Sequence, residues 1–148
     1  MTHKEFRLFF NEKISAVYPK AEVDSLYVQL MEFALNMSHA EMIIKSDEII
    51  GKHKLKNLLE YITRLEKKEP IQYIIGQVNF ADVPINVNNH VLIPRPETES
   101  LVYWIKEQEQ QNPSVLDICT GSGCIAFALE KHLHAKVNAW DISHKALQ

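Results

Sequence analysis

The sequence predicts an α/β protein in which a helical bundle precedes a β-hairpin and the first part of a doubly wound domain. Three observations lead to this fold class. Apolar residues recur at helical spacing in residues 1–69. Short β-rich runs separated by turn residues fill 70–93. A strand, a glycine turn and a helix then begin the region 94–148, and the helix has apolar residues three or four apart.

Four helices are predicted in the bundle, over 3–18, 21–37, a short segment after Ser38, and 55–65. Thr2 is a predicted N-cap, and Ser38 and Glu41 have the spacing of a capping box. Pro70 marks the end of the bundle. None of its residues has a pattern that indicates catalysis, so a packing role and a partner-binding role both stay open.

The middle region is predicted as a β-hairpin linker. Its β-rich runs cover 73–75, 78–80, 83–87 and 91–93. Its predicted turns lie at Gly76, Ala81-Asp82 and Asn88-Asn89. A helix is expected next, with Pro96 in its first turn and Asn112-Pro113 at its end. Its predicted apolar face consists of Leu101, Val102, Trp104 and Ile105.

The glycine turn follows a strand that is predicted to be buried through Val115, Leu116 and Ile118. Gly121 and Gly123 allow positive φ, and without a Cβ they let a ligand approach the backbone. The free N–H groups at the start of the next helix face whatever lies above the strand end. The sequence therefore predicts a ligand site at this turn.

A second strand over 136–140 ends in Asp141, twenty residues after Gly121. An acid in this position can accept hydrogen bonds from the two hydroxyls of a ribose. The simpler interpretation is that the glycines only form a tight turn and that Asp141 only caps a helix starting near Ser143. Asp117 before the turn, together with Asp141 after it, favours a nucleoside site.

Asp117 also indicates which nucleoside would bind. The run 121–126, GSGCIA, fits the dinucleotide pattern G-x-G-x-x-A. A carboxylate four residues before Gly121 would repel a pyrophosphate and attract a cation. S-adenosylmethionine carries an ammonium and a sulfonium and no phosphate, so the charges favour it over NAD.

Composition narrows the class of protein. The 148 residues are 46% apolar and 24% charged, as in soluble globular proteins. No apolar run approaches the ~20 residues of a membrane span, and no signal peptide is apparent, so a cytoplasmic protein without membrane association is expected. The seven histidines lack metal-ligand spacing. Cys119 and Cys124 are interpreted as small buried side chains.

Charge is unevenly distributed along the chain. Residues 1–70 carry 11 basic and 11 acidic side chains, whereas residues 71–148 carry 5 and 8. Proteins that bind a nucleic-acid backbone usually show a basic surface. Direct nucleic-acid binding is therefore not expected.

Several segments form an ordered and specific combination: PIQYIIG at 70–76, LIPRPETE at 92–99, LDICTGSGCIA at 116–126 and WDIS at 140–143. Together they resemble the HemK/PrmC family of release-factor glutamine N5-methyltransferases, over all 148 residues. The resemblance implies a Rossmann-like class I methyltransferase domain after a release-factor-binding helical domain. It also implies methyl transfer from S-adenosylmethionine to the glutamine of the Gly-Gly-Gln motif of class-1 peptide chain release factors.

The resemblance further implies roles for individual residues. Asp117 and the turn would line the methionine end of the cofactor, the turn residues being Cys119, Thr120, Gly121, Ser122 and Gly123. Asp141 would bind its ribose. Arg95 and Thr98 would form a wall of the cofactor or substrate pocket. Cys119 stands where relatives commonly have glycine, which gives the backbone less freedom there.

The family's catalytic Asn-Pro-Pro-Tyr motif, which follows the fourth strand, does not occur in these 148 residues. Asn112-Pro113-Ser114 is no substitute, because it precedes the first strand of the predicted domain. No catalytic residue and no metal ligand is therefore assigned. A doubly wound sheet normally has five or more strands. We expect the sequence to be the truncated front part of a longer protein and to be inactive alone.

Other functions are weighed against this one. An N6-adenine DNA methyltransferase shares a related motif and fold, but the helical N-terminal region and the acidic second half count against it. A non-catalytic fragment with a partner-binding bundle is a further alternative. An NAD-dependent dehydrogenase is disfavoured by Asp117 and by the IPRPETE run.

Overall fold

The computed structural model describes residues 1–108 and 112–148, which form two compact units, Met1–Ile75 and Gly76–Gln148. The first unit is built from helices and the second from strands and helices, which confirms the predicted fold class. The finer division into 1–69, 70–93 and 94–148 stays a prediction. Across the described residues, no helix has both the length and the apolar character needed to cross a bilayer.

The first unit contains α1 (His3–Ile14), α2 (Lys20–Leu35), α3 (His39–Ile44), α4 (Lys52–Glu66) and α5 (Ile71–Ile75). Its core is formed by the apolar faces of these helices. Phe10 packs edge-on against Tyr27 with the ring centroids 5.4 Å apart. Leu58 and Leu65 of α4 are fully buried in the same core. Apolar spacing near 3.6 residues places these side chains on one face of each helix.

Two helices of this unit, α1 and α3, begin with a capping box, in which two residues each accept a hydrogen bond from the other's backbone N–H. Thr2 Oγ1 accepts a hydrogen bond from Glu5 N–H, and Thr2 N–H donates to Glu5 Oε2. Ser38 and Glu41 repeat the arrangement at α3, as their spacing predicts. Hydrogen bonds from Ser38 and from Lys45 lower the pKa of Glu41 to about 2.

The second unit contains β1 (Gln77–Phe80), β2 (Val83–Asn86), α6 (Pro96–Gln108), β3 (Ser114–Ile118), α7 (Cys124–Leu133) and β4 (Lys136–Trp140). The strands β1 and β2 form an antiparallel hairpin with Phe80 opposite Val83. The strands β3 and β4 are parallel, with Asp117 opposite Ala139. The helix α7 connects them, as a crossover must. The predicted end of α6 adjoins residues 109–111, which lie outside the described residues.

Two predicted β-rich runs are wrong. The segment 73–75 lies in α5, because Tyr73 N–H bonds to Pro70 O at 3.0 Å and starts a helical turn. Ile71 and Ile74, three residues apart, then bury their side chains together. The segment 91–93 forms no strand, since Val91 N–H bonds to Asn88 O in a turn.

Burial of β3 and α6 also differs from the prediction. Leu116 and Ile118, predicted to be buried, are 50% and 65% exposed, and Trp104 of α6 is 60% exposed. Side chains of β3 alternate between two faces, and α7 lies against the sheet. The apolar run of β3 suggested burial on both faces, but the face with Leu116 and Ile118 is open in this structure.

Candidate functional site

The glycine turn joins β3 to α7 through alternate residues in the left-handed region. Cys119, Gly121 and Gly123 have φ values of 64°, 57° and 74°. Positive φ was predicted for the two glycines only. Cys119 adopts it as well, with a Cβ that makes this conformation unfavourable by about 1–2 kcal/mol. The prediction that Cys119 is buried is wrong, because its side chain is exposed after the end of β3.

Asp117 is bound to the turn by a side-chain hydrogen bond. Thr120 Oγ1 donates to Asp117 Oδ2 over 2.6 Å, and Thr120 N–H donates to Trp140 O over 3.0 Å. One residue therefore connects the turn to the ends of both parallel strands. This arrangement holds the Asp117 carboxylate at the carboxyl edge of the sheet, where open α/β sheets bind ligands.

Asp141 contacts the turn from the neighbouring strand. Its Oδ2 accepts a hydrogen bond from Gly121 N–H and its Oδ1 accepts one from Ser143 N–H, both 2.8 Å long. The Ser143 and Gly121 hydrogen bonds lower the pKa of Asp141, so the side chain is ionised at neutral pH. The predicted helix near Ser143 is not formed, because residues 144–147 make a turn, and Asp141 accepts the Ser143 N–H at the start of that turn. The role of Asp141 as a ribose-binding acid stays a prediction.

A groove of about 420 Å³ lies in front of the glycine turn. One wall is the turn itself and a second is β2 of the hairpin; Phe127, Ala139 and the last three residues, Ala146, Leu147 and Gln148, also line it. Apart from Gly121 and its two chain neighbours, no atom of the described residues lies within 4 Å of the position that a Cβ on Gly121 would occupy. A ligand can therefore approach the backbone at Gly121 directly.

Gly123 serves a different purpose in the turn. A Cβ there would lie 2.9 Å from the ring of Phe127, one helical turn along α7. The absence of a side chain lets this ring lie over the start of the helix. Gly121 thus leaves room for a ligand, whereas Gly123 leaves room for a neighbouring side chain.

The structure brings most of the predicted site residues together. Thr120, Gly121, Ser122 and Gly123 line the groove, and Asp117 and Asp141 are hydrogen-bonded to two of them. Arg95 is exposed before α6 and Thr98 is partly buried in its first turn. Neither is among the residues that line the groove in the described part of the chain, and the same holds for Asp117, Cys119 and Asp141.

Sequence reasoning missed the second wall of the groove. Val83, Pro84, Ile85 and Asn86 of β2 line it. Their pattern predicted a strand correctly, but nothing local to the hairpin indicates what it faces. The contact that joins the hairpin tip to Glu99 of the LIPRPETE run, a hydrogen bond from Ala81 N–H, is visible only in the structure.

The first unit has a larger groove of about 520 Å³. It lies between the start of α2 and the segment 68–72, and Glu22 and Lys68 give it one charge of each sign. Neither this pair nor the surrounding apolar side chains form a recognisable catalytic arrangement. All of the predicted site residues lie in the second unit.

Comparison with known proteins gives a consistent result. Residues 14–76 match the family of PrmC N-terminal domains. A release factor glutamine methyltransferase of Flavobacterium psychrophilum is 36% identical over 99% of this chain and 54% of its own length. Proteins of the same name from Bacteroides thetaiotaomicron and Lactococcus lactis are 41% and 47% identical, over 94% and 68% of this chain and 50% and 38% of their own lengths. The chain thus spans about half the length of the first two relatives.

Proposed function

We propose, because this chain belongs to the PrmC family of release factor glutamine methyltransferases, that it contributes the cofactor site of such an enzyme. The observation that carries the proposal is the pair Asp117 and Asp141. Both carboxylates are hydrogen-bonded to one glycine turn beside a groove at the carboxyl edge of two parallel strands. The cofactor of this proposal is S-adenosyl-L-methionine.

The groove and the two carboxylates hydrogen-bonded to its glycine turn support this cofactor in three respects. The open approach at Gly121 leaves space against the backbone. Asp141 is ionised, and each carboxylate oxygen can accept a second hydrogen bond, which a ribose hydroxyl would donate. Asp117 adds a negative charge that attracts an ammonium and repels a pyrophosphate. When bound, S-adenosylmethionine supplies an electrophilic methyl group.

The proposed substrate is a class-1 peptide chain release factor, methylated on the glutamine of its Gly-Gly-Gln motif. An amide nitrogen is a poor nucleophile, so its reaction depends on being held in line with the methyl carbon. We assign no residue of this chain to that task, because the Asn-Pro-Pro-Tyr motif that performs it in the family does not occur here. The first unit is proposed to hold the release factor.

Direct nucleic-acid binding is not part of the proposal, since residues 71–148 carry eight acidic and five basic side chains. The proposed reaction takes place in the cytoplasm, where translation terminates.

Calorimetric titration with S-adenosylmethionine tests the cofactor assignment. We expect micromolar binding by the chain, a loss of at least tenfold in affinity for Asp141→Ala, and unchanged affinity for Glu107→Ala, which removes an exposed acid of α6. NAD is expected not to compete. Absence of binding by a chain with a normal circular dichroism spectrum would contradict the assignment.

A methyl-transfer assay tests the second part of the proposal. With labelled cofactor and a release factor, the 148-residue chain is expected to give no turnover above background. Turnover would mean that a residue of this chain positions the glutamine amide. The N6-adenine DNA methyltransferase alternative predicts instead DNA binding that weakens steeply with salt.

A further inference from the structure

The tip of the hairpin is a two-residue turn with unfavourable backbone conformations. Ala81 and Asp82 connect β1 to β2 and have φ values of 45° and 63°. Positive φ at both central residues is the mark of type I′ turns, which favour Asn-Gly or Gly-Gly. Neither residue here is glycine or asparagine. Such conformations persist only where surrounding groups hold them.

Side chains of two helices hold this turn by its backbone. Glu99 of α6 accepts a hydrogen bond from Ala81 N–H at 3.1 Å. His132 of α7 contacts Ala81 O at 2.8 Å, and since a carbonyl oxygen can only accept, its Nε2 carries the proton. Lys131, also in α7, donates to Asp82 O. Both the donor and the acceptor of Ala81 are therefore satisfied by side chains.

The helix α7 links these contacts to the glycine turn. It begins at Cys124, directly after Gly123, and its last turn carries Lys131 and His132. The strand β2 starts at the hairpin tip and contacts α7, and its residues line the groove together with the glycine turn. The position of the hairpin tip thus determines where the second wall of the groove stands.

Glu99 differs in this respect from its neighbour Glu97. Both are acids in the first turn of α6, where the helix dipole favours negative charge. Glu97 is exposed, and its side chain makes no hydrogen bond within residues 1–108 and 112–148. The dipole therefore accounts for Glu97, whereas Glu99 has a specific partner 18 residues earlier in the chain.

We propose that Glu99 is a positioning residue for cofactor binding, which acts by holding the Ala81-Asp82 turn and with it the β2 wall of the groove. His132 and Lys131 hold the same turn from α7. This inference rests on the proposed function for the identity of the ligand. The role of Glu99 in holding the turn does not depend on the proposed function, because it can be measured in the chain without ligand.

Four variants of the full chain test the proposal. Glu99→Ala removes the acceptor, and Glu99→Gln keeps an amide oxygen that can accept from Ala81 N–H. Glu97→Ala is the matched control in the same helical turn. The double variant Glu99→Ala/Asp82→Gly lowers the cost of the turn at an exposed position, so that less anchoring is needed. Each variant is studied by hydrogen exchange without ligand and by titration with S-adenosylmethionine.

We expect Glu99→Ala to accelerate exchange at residues 78–86 and to raise the dissociation constant about tenfold, because a smaller fraction of molecules has the wall in place. Glu99→Gln and Glu97→Ala should stay within about threefold of the parent chain, and Asp82→Gly should recover affinity in the Glu99→Ala background. Recovery by a glycine in the turn would not follow from a general loss of folding.

Unchanged affinity and exchange in Glu99→Ala would overturn the proposal, as would equal losses in Glu97→Ala. The parent chain could bind no cofactor while hydrogen exchange in the hairpin is still faster in Glu99→Ala alone. That result would overturn the cofactor assignment and confirm the contact between Glu99 and the turn. The two failures are therefore distinguishable.

Discussion

The backbone N–H of Gly121 donates a 2.8 Å hydrogen bond to Oδ2 of Asp141, twenty residues later in the chain. This bond joins the turn after β3 to the end of β4, so the two parallel strands present one connected edge. The second oxygen of Asp141 is oriented by Ser143 N–H. An ionised carboxylate has about four acceptor sites, so a ribose can bind Asp141 without breaking either bond.

The titration of Asp141 should be visible at its two donors. Because the bonds from Ser143 and Gly121 favour the ionised carboxylate, its pKa lies below the ordinary 3.8. We expect the amide proton shifts of Gly121 and Ser143 to stay constant from pH 7 to 5 and to change together below pH 3.8. Asp141→Asn should abolish this change. A midpoint above 3.8 would show that the two bonds are weaker than the structure indicates.

Backbone strain at Cys119 should be measurable through the other cysteine. The chain has two cysteines, so variants of Cys119 leave the buried Cys124 as the single thiol. Burial raises the pKa of Cys124, and reagent reaches it when the second unit opens. Relative to Cys119→Ala, we expect labelling to be about twofold slower in Cys119→Gly and about fivefold faster in Cys119→Val, since a β-branched residue is least tolerated at positive φ.

Labelling of Cys124 is also measured at several denaturant concentrations, which shows whether each Cys119 variant opens more or less readily than Cys119→Ala. Equal rates in the three variants would mean that the backbone near residue 119 relaxes to negative φ in solution.

The two glycines of the turn should respond differently to alanine. Both have positive φ, which makes each substitution unfavourable by about 1–2 kcal/mol. Gly121→Ala places its methyl group in the open space where a ligand would approach. We therefore expect a clear loss of cofactor affinity and only the small loss of stability caused by positive φ. Gly123→Ala pushes against the ring of Phe127, so we expect the larger loss of stability.

Adding Phe127→Ala to each glycine variant separates these causes. It should recover part of the stability lost in Gly123→Ala and none of that lost in Gly121→Ala. Recovery in both would indicate that the ring affects the whole turn. Thermal unfolding and calorimetric titration are the two measurements.

The first unit should lose stability as the pH falls through the histidine range. His3 is buried, and its Nδ1 has no hydrogen-bond partner among the described residues. Burial lowers its pKa below 6.5; Lys45 and Lys54 act in the same direction, and Glu48 opposes them. Unfolding therefore takes up a proton, and the stability present above pH 6.5 is lost below it.

Melting temperatures at pH 7.5 and 5.5 test this, with His53→Gln as the control at an exposed histidine of α4. We expect the decrease at pH 5.5 to shrink in His3→Gln and to remain in His53→Gln. A decrease of the same size in both variants would assign the effect to other groups.

What the sequence predicts well here depends on residues close together in the chain. The capping box of Ser38 and Glu41 spans four residues, and the glycine turn is specified by Gly121 and Gly123 with the strand before them. Capping and the positive φ of glycines are decided by local backbone geometry, unlike the positive φ of Cys119, Ala81 and Asp82. These features could therefore be predicted without knowing the fold.

Features that depend on distant partners could not be predicted. The contact between Glu99 and Ala81 joins α6 to a hairpin 18 residues earlier. Likewise, the burial of Leu116 depends on which elements cover its face of the sheet. The β-propensity of a strand does not reveal which elements those are. Ile71 and Ile74 were assigned to a strand region because a short apolar run has no decisive period.

The open face of the β3–β4 sheet carries a tryptophan whose fluorescence can report when this face becomes covered. Trp140 stands opposite Ile118 in the register and is 64% exposed, so its indole emits as a solvated chromophore. With Trp104→Phe, which removes the chain's other tryptophan, any surface that comes to cover this face would shift the emission to shorter wavelength. The protein thus carries its own probe for any surface that covers this face of the sheet.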